Sequence, residues 1–219
     1  MDSLDRLRPD HTPEDAPPSA SGVWTRVDAM NTQRTHRRSA AHWTLSALVL
    51  GVFAVNAAVR FRTGYAHELL WACNLAPLLM ASGLLAGWTR VHQLGFNWVC
   101  YGTLVWTVQL LSGDGGSWFS YLNHWGCLVL GLGGIRLLGL PTGGYWRTIA
   151  AFFLLQRLTP LFIGDADNVN MAFGVWPGSV VDALPYWIAD GIILGGGLGF
   201  LWIVEIVLRR RWMTPRLEG

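Results

Sequence analysis

The 219-residue sequence contains no lysine, and only 14% of its residues are charged. A soluble domain usually carries about 25% charged residues, so this chain lacks the charge to cover a water-facing surface. What it has instead is apolar: 52% of the residues are hydrophobic, and 13 are tryptophan. The composition argues against an ordinary soluble globular domain and favours an integral membrane protein.

Cysteine is also scarce. Cys73, Cys100 and Cys127 all lie in apolar stretches, and none stands in a CxxC or other metal-binding spacing. A disulfide or metal framework is therefore not expected. The glycine run GGGLG at 195–199 is not a phosphate loop, because no Lys-Ser/Thr follows it, and within an apolar segment it favours close helix packing. We expect neither a metal nor a cofactor.

The first 40 residues lack the apolar core of a signal peptide. Residues 1–40 are polar and rich in Pro and Ser, and we predict that they form a disordered cytoplasmic tail ending in a basic anchor. Residues 209–219 are predicted to be a second, basic cytoplasmic tail. Residues 41–208 between them are the predicted transmembrane domain.

Six apolar segments occupy this central region. Each is about long enough to cross the roughly 30 Å hydrocarbon core of a bilayer. Short connections between them favour antiparallel neighbours. The predicted fold is therefore all-α, a polytopic bundle of six transmembrane helices. The predicted spans are residues 41–59, 69–88, 94–112, 121–139, 146–163 and 183–207.

The distribution of arginine predicts the orientation of this bundle. Ten of the 16 arginines lie before residue 40 or after residue 208. An even number of spans puts both chain ends on one side, and the positive-inside rule makes that side the cytoplasm. We therefore expect a multi-pass protein of a bacterial inner membrane with both termini cytoplasmic. The basic ends are explained by orientation, and no nucleic-acid partner is expected.

With this orientation, the polar side chains within the spans concentrate in the outer half of the bilayer. Glu68 lies at the outer face of the second span, Cys73 and Asn74 lie one to two turns below it, and His124 lies in the first turn of the fourth span. Polar atoms in hydrocarbon must find partners, so this segregation predicts a polar pocket that opens outward. The other residues assigned to the pocket are Arg157, Asn168, Asn170 and Asp190.

Several functions are compatible with such a pocket. A Cys with a His in reach can provide an activated thiolate, with Asn74 donating to an oxyanion, which suits lipid acyl hydrolysis or acyl transfer. Glu68, Asp182 and Asp190 could instead bind a cation or relay protons in a transporter or binding protein for a small polar or lipidic solute. The chain could also be a structural or assembly subunit of a membrane complex, with Asn74 as interhelical glue and Cys73 as an apolar filler.

Three patches carry a resemblance: ELLWACNLAPLL (68–79), NHWGCLVLGL (123–132) and DNVNMAFG (167–174). Together they resemble the YwaF / TMEM164-like six-span integral membrane proteins, whose animal members resemble lipid acyltransferases with a catalytic Cys and His. The resemblance implies that Cys73 is the nucleophile and His124 the base, with Asn74, Asn168 and Asn170 shaping the site. The partners it implies are membrane lipids.

Overall fold

The computed structural model describes residues 39–111, 117–164, 168–172, 174 and 182–212. The regular structure of this part of the chain is helical throughout, which confirms the predicted all-α class. The α-helices are α1 (Ala40–Thr63), α2 (Ala72–Ala86), α3 (Thr89–Leu111), α4 (Trp118–Tyr121), α5 (Cys127–Leu138), α6 (Gly144–Leu158) and α7 (Tyr186–Trp212). Short 3-10 helices span Ala66–Leu70, Thr159–Leu161 and Val169–Met171.

A π-helical stretch, Leu122–Gly126, joins α4 to α5. Residues at both junctions keep right-handed helical dihedral angles, so 118–138 form one continuous helix. The described chain thus contains six long helices, and they coincide with the six apolar segments of the sequence. Most of the two predicted tails (1–38 and 213–219), Asp114, Asp165 and Asp167 lie outside the described residues.

Two of these helices, α1 and α7, are long and apolar enough to cross a membrane, judged by length and composition alone. Little of their apolar windows is buried in the bundle, 22% in α1 and 11% in α7. The other helices are shorter or more polar. Helices α2 and α6 have 15 residues each, which corresponds to about 22 Å. Helix α3 contains buried His92, Gln93 and Asn97.

Helix α2 packs against α1 and α3. Helix α3 also contacts α5, α6 and α7, and α6 packs against α7. The side chains between them form one apolar core. Its fully buried members include Val49, Ala76, Met80, Phe96, Val99, Cys127 and Leu201.

Close approach of α2 and α3 requires glycine where their backbones meet. A Cβ on Gly95 would lie 2.5 Å from the carbonyl oxygen of Ala76, and a Cβ on Gly83 would overlap the backbone nitrogen of His92. Gly87, in the left-handed conformation with φ of 69°, ends α2 and lets the chain turn into α3. The pair is thus packed backbone to backbone.

Replacing Gly95 by Ala tests this packing. The added methyl cannot fit without moving Ala76, so we expect a loss of about 1–3 kcal/mol of stability, measured by unfolding in detergent. Gly51→Ala in α1 is the matched control, because its Cβ would meet nothing within 4 Å. It should be neutral or slightly stabilising. Equal destabilisation by both substitutions would contradict the close packing.

Candidate functional site

A cavity of about 330 Å³ lies among α1, α2, α3, α6, α7 and the π-helical stretch. Five of the predicted site residues line it, and they come from four separate parts of the chain. These are Glu68, Cys73, Asn74, His124 and Asn170. The remaining lining residues are Arg60, Trp71, Ala72, Trp98, Tyr101, Gly102, Val105, Trp106, Gln109, Ser120, Phe152 and Ile193.

Helix α3 forms one wall of the cavity. The sequence interpretation predicted the pocket but missed this wall. Its lining positions are spaced by three or four residues, so they share one face of the helix. Aromatic and polar residues repeat along this face, and that periodicity is the signal that could have identified it. The six lining residues of α3 are Trp98, Tyr101, Gly102, Val105, Trp106 and Gln109.

Asn74 is the centre of a hydrogen-bond network beside the cavity. Its Oδ1 accepts from Nδ2 of Asn56 (3.1 Å) and from Nδ2 of Asn123 (2.9 Å). Its own Nδ2 donates to the backbone oxygen of Glu68 at 2.6 Å. One amide thus ties α2 to α1, to the π-helical stretch and to the 3-10 helix before α2. This is the interhelical role that was left open for Asn74 beside the oxyanion role.

Pro77 extends the same network. A proline within a helix has no N–H to offer the carbonyl four residues earlier, which here is Cys73 O. Asn123 Nδ2 lies 3.4 Å from that oxygen and donates to it. The carbonyl that Pro77 leaves without a helical partner is thus bonded by a side chain of another helix.

Cys73 is the half-buried cysteine of the three, whereas Cys100 and Cys127 are buried and do not line the cavity. Its sulfur lies 4.0 Å from Asn74 Oδ1, a weak contact that leaves the thiol on the cavity wall. Helix α3 passes close behind it at Gly102, where an added Cβ would lie 2.8 Å from the Cβ of Cys73. Glycine at 102 therefore makes room for the thiol.

His124 is held in one orientation on the same wall. Its ring stacks on Trp106 with centroids 4.7 Å apart and planes 2° apart, and Tyr121 meets Trp106 edge-on at 4.8 Å. Nδ1 of His124 lies 2.9 Å from the carbonyl oxygen of Ser120. A carbonyl only accepts, so Nδ1 carries the hydrogen and Nε2 is the acceptor nitrogen of the neutral ring. That is the tautomer a general base requires.

Asn170 fixes the start of α2. Its Oδ1 accepts from the backbone N–H of Ala72 (3.0 Å), and its Nδ2 donates to the backbone oxygen of Leu70 (2.8 Å). Asn170 itself has a left-handed backbone with φ of 58°, which asparagine tolerates better than most residues. By fixing the first residue of α2, Asn170 also fixes the position of Cys73, which is the next residue of the helix.

Three predicted site residues do not line the cavity. Arg157 forms an ion pair with Asp190 at 3.1 Å. Gln156 donates to Asp190 (2.9 Å), so this cluster links α6 to α7 beside the cavity. Asn168 donates to the backbone oxygen of Gly174 at 3.0 Å.

Two charged residues, Arg60 and Glu68, line the cavity. They form an ion pair with each other. The Arg60 guanidinium also lies over the ring of Phe119, 5.2 Å from its centroid. Arg60 closes α1 and Glu68 belongs to the following 3-10 helix, so the pair connects two consecutive elements. A positive group is thereby positioned at the cavity wall.

Within the described residues, no group of three or more His, Cys, Asp or Glu side chains could hold a metal ion. The chain matches no family model, and comparisons with curated proteins and with solved structures find no match. The residues of the cavity offer a thiol, an imidazole with an acceptor nitrogen, a guanidinium and several aromatic rings.

The role of Asn74 as a network centre predicts a cost for removing it. Asn74→Ala leaves the amides of Asn56 and Asn123 without their acceptor, so we expect about 1–3 kcal/mol of destabilisation on unfolding in detergent. Asn97→Ala is the matched control: it is equally buried, at 4%, but its amide makes one bond, to Thr148 Oγ1. A smaller effect for Asn74→Ala than for Asn97→Ala would contradict the network.

Proposed function

We propose that this chain is a six-span membrane protein whose outward-facing cavity binds a lipid ester and transfers or hydrolyses its acyl group through Cys73 and His124. The membrane assignment comes first, because it decides which molecules reach the cavity. It is supported by how polar and apolar side chains are distributed between the interior and the exterior of the bundle.

The bundle buries many polar side chains beside its apolar core and exposes large apolar side chains on its exterior. Fifteen described polar or charged residues are buried, among them Asn56, His92 and Gln156. Large apolar side chains are exposed on every long helix, including those too short or too polar to qualify as spans by composition. Examples are Phe61, Leu104, Val129, Leu154 and Ile203. Water would not stabilise this arrangement, whereas hydrocarbon favours it.

The proposed topology places both termini in the cytoplasm. Arginines gather at the chain ends, and each long helix reverses the direction of the one before it. The cavity then opens at the outer side, where α1 ends at Thr63 and α2 begins at Ala72. In the alternative topology, only α1 and α7 cross the membrane. The loops that connect α2, α3, α5 and α6 then all lie on the same side of the membrane.

Reporter fusions after Gly64 and after Gly87 separate these topologies. With six spans, a periplasm-active reporter such as alkaline phosphatase should be active at Gly64 and inactive at Gly87, because α2 lies between them. A cytoplasm-active reporter should give the opposite pattern. The same side for both fusions would exclude α2 as a span and overturn the six-span proposal.

The acyl-transfer proposal is carried by one observation: Cys73 and His124, from different helices, line one cavity, and His124 has the tautomer of a base. In the first step, His124 Nε2 takes the thiol proton of Cys73 and the thiolate sulfur bonds to the ester carbonyl carbon. The carbon–oxygen ester bond then breaks, and the leaving alcohol takes the proton from His124. Cys73 is left as a thioester.

In the second step, water or the hydroxyl of a second lipid attacks this thioester. Its proton passes to His124, the carbon–sulfur bond breaks, and the thiolate recovers the proton. The guanidinium of Arg60 provides positive charge near the carbonyl oxygen as it becomes negative. Trp106 and Ser120 position His124 and take no part in bond changes.

A lipid ester suits the cavity better than a small polar solute does. Its wall holds three tryptophans, a tyrosine and a phenylalanine, which offer apolar surface to an acyl chain. Polar lining groups gather near the start of α2, where Asn170 bonds to Ala72 and Arg60 pairs with Glu68. The second candidate, solute binding without catalysis, draws on the Arg60–Glu68 pair, which could exchange partners with an ionic ligand.

Covalent labelling tests the nucleophile. In the folded protein, a chloroacetamide with a long alkyl chain should modify Cys73 and spare Cys100 and Cys127, as measured by mass spectrometry of peptides. His124→Gln should slow the modification of Cys73 by at least about tenfold, because the base is lost. Acyl release from ester lipids in proteoliposomes should be lost in Cys73→Ala and retained in Cys127→Ala.

The second candidate, solute binding without catalysis, predicts a different result in these experiments. If Cys73→Ala retains acyl release, or if no release occurs with wild-type protein while ligand binding depends on Arg60, the nucleophile role of Cys73 is wrong. Unfolding in detergent must show that Cys73→Ala keeps its fold, so that loss of activity is assigned to the thiol.

A further inference from the structure

The end of the bundle opposite the cavity is assembled from three connections. The turn between α2 and α3, the loop between α5 and α6, and the last turns of α7 meet there. Arg209 donates to the backbone oxygen of Leu140 at 3.0 Å, and Gln93 donates to that of Pro141 at 3.0 Å. These bonds join α7 and α3 to the same loop and give this end a fixed shape.

This end is strongly basic. Four carboxylates belong to the described residues, and three of them, Glu68, Asp182 and Asp190, lie at the cavity end. The fourth, Glu205, already accepts from the backbone N–H groups of Gly143 (2.9 Å) and Gly144 (2.8 Å) and pairs with Arg209. The described arginines here are Arg90, Arg136, Arg147, Arg209, Arg210 and Arg211.

Two of these arginines lie over tryptophans. The guanidinium of Arg136 is 4.6 Å from the ring centroid of Trp212, and that of Arg147 is 5.5 Å from that of Trp146. Arginine beside tryptophan is the combination found where a protein meets lipid headgroups. It places this end of the bundle at a membrane–water boundary rather than in bulk water.

A groove of about 620 Å³ opens at this end between the α2–α3 turn and the α5–α6 loop. Arg90 is its one charged lining residue, and Thr89 adds a hydroxyl. The rest of the wall is mainly apolar, and Trp88 at its edge is 62% exposed. The other lining residues are Val91, Leu138, Gly139, Leu140 and Pro141.

We propose that this groove binds an anionic glycerophospholipid of the cytoplasmic leaflet. Its phosphate bonds to the Arg90 guanidinium and the Thr89 hydroxyl, while an acyl chain lies along Trp88 and Leu138. Among the described residues of this end, arginine exceeds available carboxylate, which favours a negative headgroup, and the apolar wall favours a lipid over a free anion. The inference rests on the proposed membrane location and is independent of Cys73 chemistry.

Native mass spectrometry of the purified full chain in detergent tests this binding. Dioleoyl phosphatidylglycerol and dioleoyl phosphatidylcholine are offered at equal concentration. Wild type should retain the anionic lipid preferentially, and Arg90→Gln should lower its occupancy about fivefold, the contribution expected of one arginine near anionic lipid. Arg62→Gln, an exposed arginine at the other end, is the charge-matched control and should keep the preference.

A second variant probes the apolar part of the groove. Trp88→Ala removes an exposed side chain, so it should fold normally, yet it should weaken retention of both lipids at this groove. Equal retention of the two lipids by wild type, or equal losses in Arg90→Gln and Arg62→Gln, would overturn the proposal in favour of diffuse surface charge. Complete displacement of phosphatidylglycerol by millimolar inorganic phosphate would overturn it in favour of a free-anion site.

Discussion

The side-chain amide of Asn74 is the interaction on which the candidate site depends. Its oxygen accepts from Asn56 and Asn123, and its nitrogen donates to the backbone at Glu68. An unpaired amide in an apolar interior costs more than the net value of the bonds it forms, so these elements are held in one register. That register brings Cys73 and His124 to the same cavity.

The same constraint applies to the whole bundle. Many of the buried polar groups bond to side chains or backbone oxygens of neighbouring helices, as where Asn97 donates to Thr148 Oγ1 at 3.0 Å and Trp98 Nε1 donates to Thr148 O at 3.3 Å. The exterior is left to apolar side chains. In such a protein, the buried polar side chains determine which helices pair, and the exposed apolar side chains suit contact with lipid. The cavity and the basic groove are two of the places where polar side chains reach that surface.

The helices could be predicted from sequence because each apolar run is long and ends in polar or glycine-containing stretches. Glu68, Cys73, Asn74, His124 and Asn170 could be grouped because helix direction assigns each a depth. Their partners could not be predicted, since hydrogen bonding between helices depends on how each helix is rotated. The pairing of Arg157 with Asp190 is one example, because it is set by how α6 packs against α7. The lining face of α3 was missed because its aromatic residues resemble ordinary core residues.

In the proposed membrane location, lipid covers the whole exterior, including helices that do not qualify as spans by composition. Spin labels at Val129 and Leu154, which are 67% and 58% exposed on α5 and α6, test it directly. In proteoliposomes, with the native cysteines replaced, both labels should collide more often with oxygen than with a water-soluble nickel chelate. Higher collision with the nickel chelate at either site would show a water-facing surface and contradict the account.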